Sequence, residues 1–166
     1  MGSFAESVEL IHRLWTEDEV VFNGTYHSVD KPILEPRRKP KLWIGGGGER
    51  VTLKLVAQYG DACNLFARMG DDILKQKLDI LRGHCEKVGR PYEEIEKTSL
   101  DHIRLSRDGA DGAVTPAQAI ERFAHLAEMG FDQGIISLRN PTDPETFELL
   151  GAEVIPEVEK IRPAGR

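Results

Sequence analysis

The fold of this chain is decided by residues 42–50, Leu-Trp-Ile-Gly-Gly-Gly-Gly-Glu-Arg. A short apolar run ends in four glycines, and an amphipathic stretch over residues 50–59 follows, stopped by Gly60. Short apolar runs are typical of buried strands, and apolar residues at helical spacing before a glycine are typical of helices. The segment therefore predicts a strand, a glycine loop (residues 45–50) and a helix.

The same alternation recurs three times toward the C-terminus. Further strands are predicted at residues 62–66, 98–105 and 134–138. Helices are predicted from Asp71 to Gly89, from Thr115-Pro116 to Gly130 and from Asp143-Pro144 to near Pro156. The first of these helices has an apolar stripe of Ile73, Leu74, Leu78, Leu81, Cys85 and Val88. Four strand–helix units predict an α/β fold, (βα)₄, with a parallel sheet.

Two architectures fit this alternation. One is an open, doubly wound sheet, and the other is half of a (β/α)₈ barrel, which in full takes roughly 250 residues. The first 40 residues differ in type. Ser3 and Glu6 predict a capping box for a helix over residues 4–16, and Asn23-Gly24 predicts a two-residue hairpin turn. A proline-rich connector follows. The predicted organisation is residues 1–40 (helix, hairpin and connector) and residues 41–166, the (βα)₄ segment.

Composition excludes several classes of function. The 166 residues carry a net charge of −6, which argues against nucleic acid as a partner. No apolar run is long enough for a membrane span, and the first residues lack the layout of a signal peptide. Two cysteines form neither a disulfide framework nor a zinc ligand set, and no metal constellation is visible. A cytoplasmic protein is expected.

The glycine loop is the strongest chemical signal. Glycines let the backbone approach an anion closely, and the helix that follows directs N–H groups and a positive dipole end toward it. A P-loop would need Lys-Ser/Thr where Glu49-Arg50 stands, and a dinucleotide fingerprint would need a third glycine at position 50. Thr52, one turn into the helix, could add a hydroxyl. A flexible turn without a ligand is the alternative.

Residues 42–66 strongly resemble the luciferase-like oxidoreductase family, particularly its branch assigned to the deazaflavin coenzyme F420. The resemblance is collinear over nearly the whole chain. It includes Leu14-Trp15-Thr16, Phe22-Asn23-Gly24, residues 77–81, Thr115-Pro116, Phe131-Asp132 and Val154-Ile155-Pro156.

The resemblance implies a (β/α)₈ barrel enzyme that transfers a hydride between a flavin or deazaflavin and a small organic substrate. This chain would supply the (βα)₄ half with barrel strands five to eight, preceded by a helix and a β-hairpin. The family's N-terminal half carries much of the ring pocket. We therefore expect the chain to be inactive alone, and to form a homo-oligomer (a dimer) or to associate with the missing N-terminal half.

The resemblance also implies site residues. The N–H groups of Gly46, Gly47, Gly48 and Glu49, with the Thr52 hydroxyl, would hold the cofactor phosphate. Because barrel active sites lie at the carboxyl ends of the strands, the residues after the second and fourth strands are expected at the ligand mouth. They are Asn64, Phe66, Ser137, Arg139 and Asn140. Arg139 would bind a second anionic group, such as a carboxylate on the cofactor tail; the alternative is a surface pair with Asp143.

No catalytic residue is evident. His102 follows Asp101 on the third strand and is a weak candidate for proton transfer. His12, His84 and His125 are expected at core edges or in solvent, and His27 is expected in the hairpin, away from the ligand mouth. Cys63 and Cys85 are expected to be packing residues.

Three functions remain open at this point. The first is an F420-dependent oxidoreductase. The second is an FMN-dependent monooxygenase of the same family, since the same loop can hold the phosphate of FMN. The third is a non-catalytic half-barrel, either a subunit or an anion-binding module.

Overall fold

The computed structural model describes residues 1–36 and 38–164 of the chain. The helices within these ranges are α1 (Gly2–Thr16), α2 (Thr52–Tyr59), α3 (Asp71–Val88), α4 (Pro116–Glu128), α5 (Pro144–Leu149) and α6 (Ile155–Val158). A π-helical segment, Leu150–Val154, joins α5 to α6. The strands are β1 (Val21–Asn23), β2 (Ser28–Asp30), β3 (Trp43–Gly45), β4 (Ala62–Phe66), β5 (Glu96–Ile103) and β6 (Gln133–Leu138).

Two sheets are formed. β1 and β2 make an antiparallel hairpin, and the other four strands make a parallel sheet in the order β3-β4-β5-β6. In the β5–β6 pair His102 lies opposite Ser137, and Asp101 lies opposite Ile136. Each strand of this sheet is followed by a helix, so the predicted (βα)₄ fold is confirmed. Sequential strand order is the order of a barrel segment.

By its internal contacts the chain divides into two compact units. Unit 1 comprises Met1–Cys63 and Gln76–Ile95, and unit 2 comprises Asn64–Lys75 and the chain from Glu96 onward. The predicted boundary at residue 40 divides the helix, hairpin and connector from the four strand–helix units, and it stays a prediction. The last two residues of the predicted segment 41–166 lie outside the described residues.

Each unit has its own apolar core. The core of unit 1 consists of Val8, Ile44, Leu55, Val56, Ala57, Cys63, Leu81, Cys85 and Ile95. In unit 2 a buried cluster consists of Leu105, Ala119, Leu149, Leu150 and Val154. Both cysteines are buried in the core of unit 1, which confirms that they are packing residues. On α3 the apolar stripe is narrower than predicted, because Ile73 and Val88 are exposed.

The predicted capping box at the N-terminus is wrong. The helix α1 begins at Gly2, so Ser3 lies inside it, and the N-cap residue has no side-chain cap. The Glu6 carboxylate instead accepts hydrogen bonds from the backbone N–H groups of Thr25, Tyr26 and His27 at 2.8, 2.8 and 3.1 Å. Because the Glu6 carboxylate already accepts these three hydrogen bonds, it does not accept one from the N–H groups at the start of its own helix.

The predicted two-residue Asn-Gly turn is also wrong, although the hairpin itself is confirmed. Asn23 is paired with Ser28 in the ladder, so the loop has four residues, 24–27. The N–H of Gly24 donates to the carbonyl of His27 at 2.9 Å. Neither Asn23 nor Gly24 has the positive φ of a type I′ turn. The Glu6 carboxylate stabilises the longer loop by pairing its N–H groups.

Some element boundaries shift by one or two residues. Helix α2 begins at Thr52 rather than residue 50, because residues 49–51 form a turn. Strand β5 lies two residues earlier than predicted, and Leu105 forms only an isolated bridge with Val114. Asp71 is the first residue of α3 rather than its cap.

Two helix starts follow the sequence closely. The Thr115 hydroxyl accepts from the N–H of Gln118, whose side chain accepts from the N–H of Thr115, so the capping box of α4 is confirmed. Asp143 caps α5 by accepting from the N–H of Glu145 at 3.1 Å. Among the described residues, no helix combines the length and apolar character that crossing a membrane requires.

Candidate functional site

The glycine loop connects β3 to α2 in unit 1. Gly46 has φ of +115°, a backbone conformation that residues with a side chain rarely adopt, so this position requires glycine. Gly46 and Gly47 are half-buried, and Gly48 is exposed. The N–H of Leu53 donates to the carbonyl of Gly48 at 2.9 Å, which removes one first-turn donor from the helix. Donors for a ligand therefore come mainly from the loop itself.

Thr52 faces the loop from the first turn of α2. Its side chain is buried, and its Oγ1 lies 2.7 Å from where a Cβ on Gly48 would stand. Its Cγ2 lies 3.7 Å from the corresponding position on Gly46, whereas a Cβ on Gly45 would meet nothing within 4 Å. The loop is thus a cradle with one hydroxyl beside it and open space at its strand end. These residues fit a phosphate group, which needs backbone and hydroxyl donors at close approach.

Three side chains of α3 hold Glu49. Its carboxylate accepts from Lys77 Nζ at 2.6 Å and from Gln76 Nε2 at 3.1 Å. Its carbonyl lies 2.8 Å from His84 Nε2, so that nitrogen carries the proton. Lys77 compensates the one negative charge of the loop, which would otherwise oppose an anionic ligand. The contacts also fix the end of the loop.

Sequence reasoning missed these α3 residues. Lys77 and His84 are seven residues apart, two helical turns on one face of α3, and this spacing was the only available signal. Nothing in it points to Glu49, which is 28 residues from Lys77.

The other end of α2 is held as firmly. Arg90 donates to the carbonyl of Gly60 at 2.8 Å, and cations favour the C-terminal end of a helix. Asp61 Oδ2 accepts from the N–H of Leu42 at 2.8 Å, while the N–H of Asp61 donates to the carbonyl of Leu42 at 2.8 Å. These contacts fix the start of β3 relative to the end of α2. Since β3 and α2 flank the glycine loop, the contacts also stabilise the two elements that the loop connects.

Asn64 and Phe66, which are expected after the second strand, lie within β4 and belong to unit 2. Asn64 is half-buried, and its Nδ2 donates to Thr98 Oγ1 at 2.7 Å. Phe66 is exposed, and the Arg68 guanidinium lies over its ring at 5.0 Å from the centroid. The side chain of Asn64 is thus held in one orientation by β5.

The residues after the fourth strand have different roles. Asn140 is a structural residue rather than a mouth residue, because its amide bonds both the N–H and the carbonyl of Leu105 and also Thr146 Oγ1. Arg139 is exposed. Its predicted alternative partner, Asp143, caps α5, and no ion pair joins the two. Arg139 and His102 line one pocket of about 340 Å³ within unit 2.

The remaining histidines have packing or surface partners. His12 lies 5.1 Å from the Tyr59 ring, centroid to centroid, and burial, followed by the charge of Lys39, lowers its pKa. His27 Nε2 lies 2.9 Å from Ser7 Oγ, and exposed His125 pairs with Asp71 at 2.7 Å. Within residues 1–36 and 38–164, no three side chains of the metal-ligating types are grouped as a metal site would require.

A parallel (βα)₄ sheet with a glycine loop between its first strand and helix defines the chain as a segment of a barrel-type α/β protein. The model of the luciferase-like monooxygenase family matches residues 1–114. The chain therefore belongs to the luciferase-like monooxygenase family. The matched region includes the whole glycine loop.

Relatives with assigned activities are also similar to this chain. An F420-dependent glucose-6-phosphate dehydrogenase of Kineococcus radiotolerans is 33% identical over 119 residues, 70% of this chain and 33% of that protein. One from Nakamurella multipartita is 32% identical over 106 residues, 62% of this chain and 30% of that protein. The chain thus spans about a third of the length of these curated relatives.

Solved structures share the fold. An F420-dependent secondary alcohol dehydrogenase, in complex with an F420-acetone adduct, matches 93% of this chain with a TM-score of 0.75 at 18% identity, and 60% of that chain is covered. The F420-dependent tetrahydromethanopterin reductase of Methanopyrus kandleri matches 95% with a TM-score of 0.73 at 14% identity, and 63% of that chain is covered. At these identities the likeness concerns the fold.

Proposed function

We propose that this chain is the phosphate-binding part of an oxidoreductase that uses coenzyme F420 and a small organic substrate. When bound, the deazaflavin supplies hydride transfer, and the protein supplies binding and orientation. The observation that carries the proposal is the glycine cradle, in a chain whose curated relatives with up to 33% identity are named F420-dependent dehydrogenases.

The cradle holds the phosphate in this proposal. Gly46, Gly47, Gly48 and Glu49 contribute backbone N–H donors, and Thr52 contributes its hydroxyl from a position beside Gly48. The ion pair between Glu49 and Lys77 supports this role, because it keeps the Glu49 carboxylate on the α3 side and compensates its charge.

Roles are proposed separately for residues of unit 2. Asn64, oriented by Thr98, is proposed as a cofactor contact, and Arg139 is proposed to bind a second anionic group. His102 is proposed to hold or move a proton near the substrate, because it lines the same pocket as Arg139.

The test is a fluorescence titration of F420 with the wild-type chain and two variants at one position. Gly47→Asp places a carboxylate in the cradle, and Gly47→Asn adds the same volume without charge. We expect Gly47→Asp to weaken binding at least about fivefold relative to Gly47→Asn, because like charges at such distances cost about 1–4 kcal/mol. Equal affinities for the two variants, or no binding of F420 by wild type, would contradict the proposal.

The second candidate is an FMN-dependent monooxygenase. The family model is that of a luciferase-like monooxygenase, and the fold is shared with a long-chain alkane monooxygenase at a TM-score of 0.68. Since both cofactors carry a phosphate, the cradle does not distinguish them. Parallel titrations with F420 and FMN do, and we expect tighter binding of F420.

The chain spans only a third of the length of its curated relatives, which bears on its activity and assembly. We propose that hydride transfer requires a further barrel segment and that this chain alone shows no turnover. We also propose that the chain associates with that segment or forms a homo-oligomer, and that it acts in the cytoplasm. Turnover by the purified chain, or a stable monomer across a light-scattering concentration series, would contradict the first two statements.

A further inference from the structure

The pocket at the carboxyl ends of β5 and β6 is lined by three arginines. Arg104 follows β5, Arg139 follows β6, and Arg122 lies on α4; His102 and Asp111 complete its polar lining. Its volume of about 340 Å³ lies within the range of small-molecule sites. All these residues lie in unit 2, separate in sequence from the glycine loop.

The charges of this pocket are not balanced. Arg122 Nε lies 2.8 Å from Asp101 Oδ2, and the Asp101 side chain is 5% exposed. The positive charge of Arg122 is therefore balanced by the Asp101 carboxylate. Arg104 faces Asp111 at 4.0 Å, and the Asp111 side chain is 80% exposed, so this pair is loose and screened by solvent. Among the described residues no ion pair involves Arg139. The pocket therefore keeps surplus positive charge.

Backbone hydrogen bonds fix the main chain at two of these arginines. The N–H of Arg139 donates to the carbonyl of Ile103 at 2.8 Å, and the carbonyl of Arg104 accepts from the N–H of Val114 at 2.8 Å. The buried Asp101 carboxylate orients Arg122. A guanidinium presents several N–H donors in one plane and matches a carboxylate or phosphate with two hydrogen bonds. Three guanidinium groups that extend from ordered main chain and line one cavity favour an anion as its ligand.

We infer that this pocket binds the carboxylate or phosphate group of a small-molecule ligand, with Arg139 and Arg104 as its main contacts and Arg122 as an oriented third. The binding inference depends on the pocket alone. Assigning the anion to the substrate of an oxidoreductase rests on the proposed function.

The experiment is a titration of the chain with inorganic phosphate and with succinate, followed by calorimetry. It is carried out in the Gly47→Asp background so that the glycine loop does not contribute. We expect both probes to bind, and Arg139→Gln and Arg104→Gln each to weaken binding about tenfold, since charge-assisted hydrogen bonds contribute on this scale. Arg38→Gln, an exposed arginine outside the pocket, removes the same charge and is expected to leave affinity unchanged.

The outcomes separate this inference from the proposed function. Loss of all phosphate binding in Gly47→Asp, or equal affinity of the pocket variants and Arg38→Gln, would overturn the pocket and leave the glycine loop untouched. Urea unfolding of each variant shows whether it remains folded, and Arg104→Gln is an independent second test if Arg139→Gln does not. Addition of excess F420 to the wild-type chain, whose glycine loop is intact, identifies the source: displacement of succinate from the pocket assigns the anion to the cofactor, and retention assigns it to a separate substrate.

Discussion

Replacing Gly48 by alanine is expected to lower the free energy of unfolding by about 1–2 kcal/mol. The new Cβ would stand 2.7 Å from Thr52 Oγ1, whereas ordinary contact begins near 3.4 Å, so one of the two groups must move by about 0.7 Å. Thr52 has little room to move, because it is 6% exposed and its β-branched side chain is stiff on a helix.

The magnitude is the difference of two effects. Overpacking of this kind costs about 1–3 kcal/mol, and the loss of backbone freedom in the unfolded chain returns about 0.4–1 kcal/mol when glycine becomes alanine. The cost of overpacking is therefore larger than the gain from the unfolded chain, and the net effect is destabilising. Urea unfolding followed by circular dichroism measures it, provided that the slope with urea is the same for both proteins.

Two controls make this prediction specific. Gly45→Ala introduces a Cβ that meets nothing within 4 Å and is expected to change stability by less than about 0.5 kcal/mol. In a Thr52→Ala background the hydroxyl is absent, so Gly48→Ala is expected to cost less than about 0.5 kcal/mol. If Gly48→Ala destabilises the protein equally in both backgrounds, Thr52 does not face the loop as described.

Three further predictions concern the supports of the fold. Asp61→Ala is expected to cost about 1–2 kcal/mol in urea unfolding by removing the acceptor of the Leu42 N–H, and Asp61→Asn, which keeps an acceptor, to cost less. Asn140→Ala is expected to cost about 1–3 kcal/mol, because the N–H and carbonyl of Leu105 lose a partner; no loss would restore Asn140 to a ligand role. Burial opposes ionisation of Glu6, but the turn N–H groups outweigh it and lower its pKa. Its stabilisation is therefore present above the unfolded-state value of about 4.3 and lost as pH falls through the lower folded value, so the urea midpoints of wild type and Glu6→Gln should converge in acid.

What could be predicted from the sequence is what neighbouring residues determine. Thr115 and Gln118 are three residues apart, and their capping box forms as expected. The strand–glycine–helix pattern of residues 42–59 also depends on local signals, and β3, the loop and α2 follow it with a shift of two residues at the start of the helix.

The failures involve contacts between distant residues. Glu6 satisfies the capping-box pattern, but its carboxylate bonds the N–H of Thr25, 19 residues away. Asn140 follows a strand as a ligand residue would, but it bonds Leu105, 35 residues away. Local spacing contains no information about such partners. The same holds for Lys77 and His84, whose contacts with Glu49 complete the candidate site.

The phosphate resonance of F420 tests the cofactor site most directly, because it reports on the group that the cradle is proposed to hold. ³¹P NMR spectra of F420 are recorded with increasing amounts of the wild-type chain, Gly47→Asp and Gly47→Asn. We predict that wild type and Gly47→Asn shift or broaden the resonance and that Gly47→Asp at the same concentration does not. An unchanged resonance with wild type, or the same perturbation with Gly47→Asp, would show that the glycine loop does not hold the phosphate.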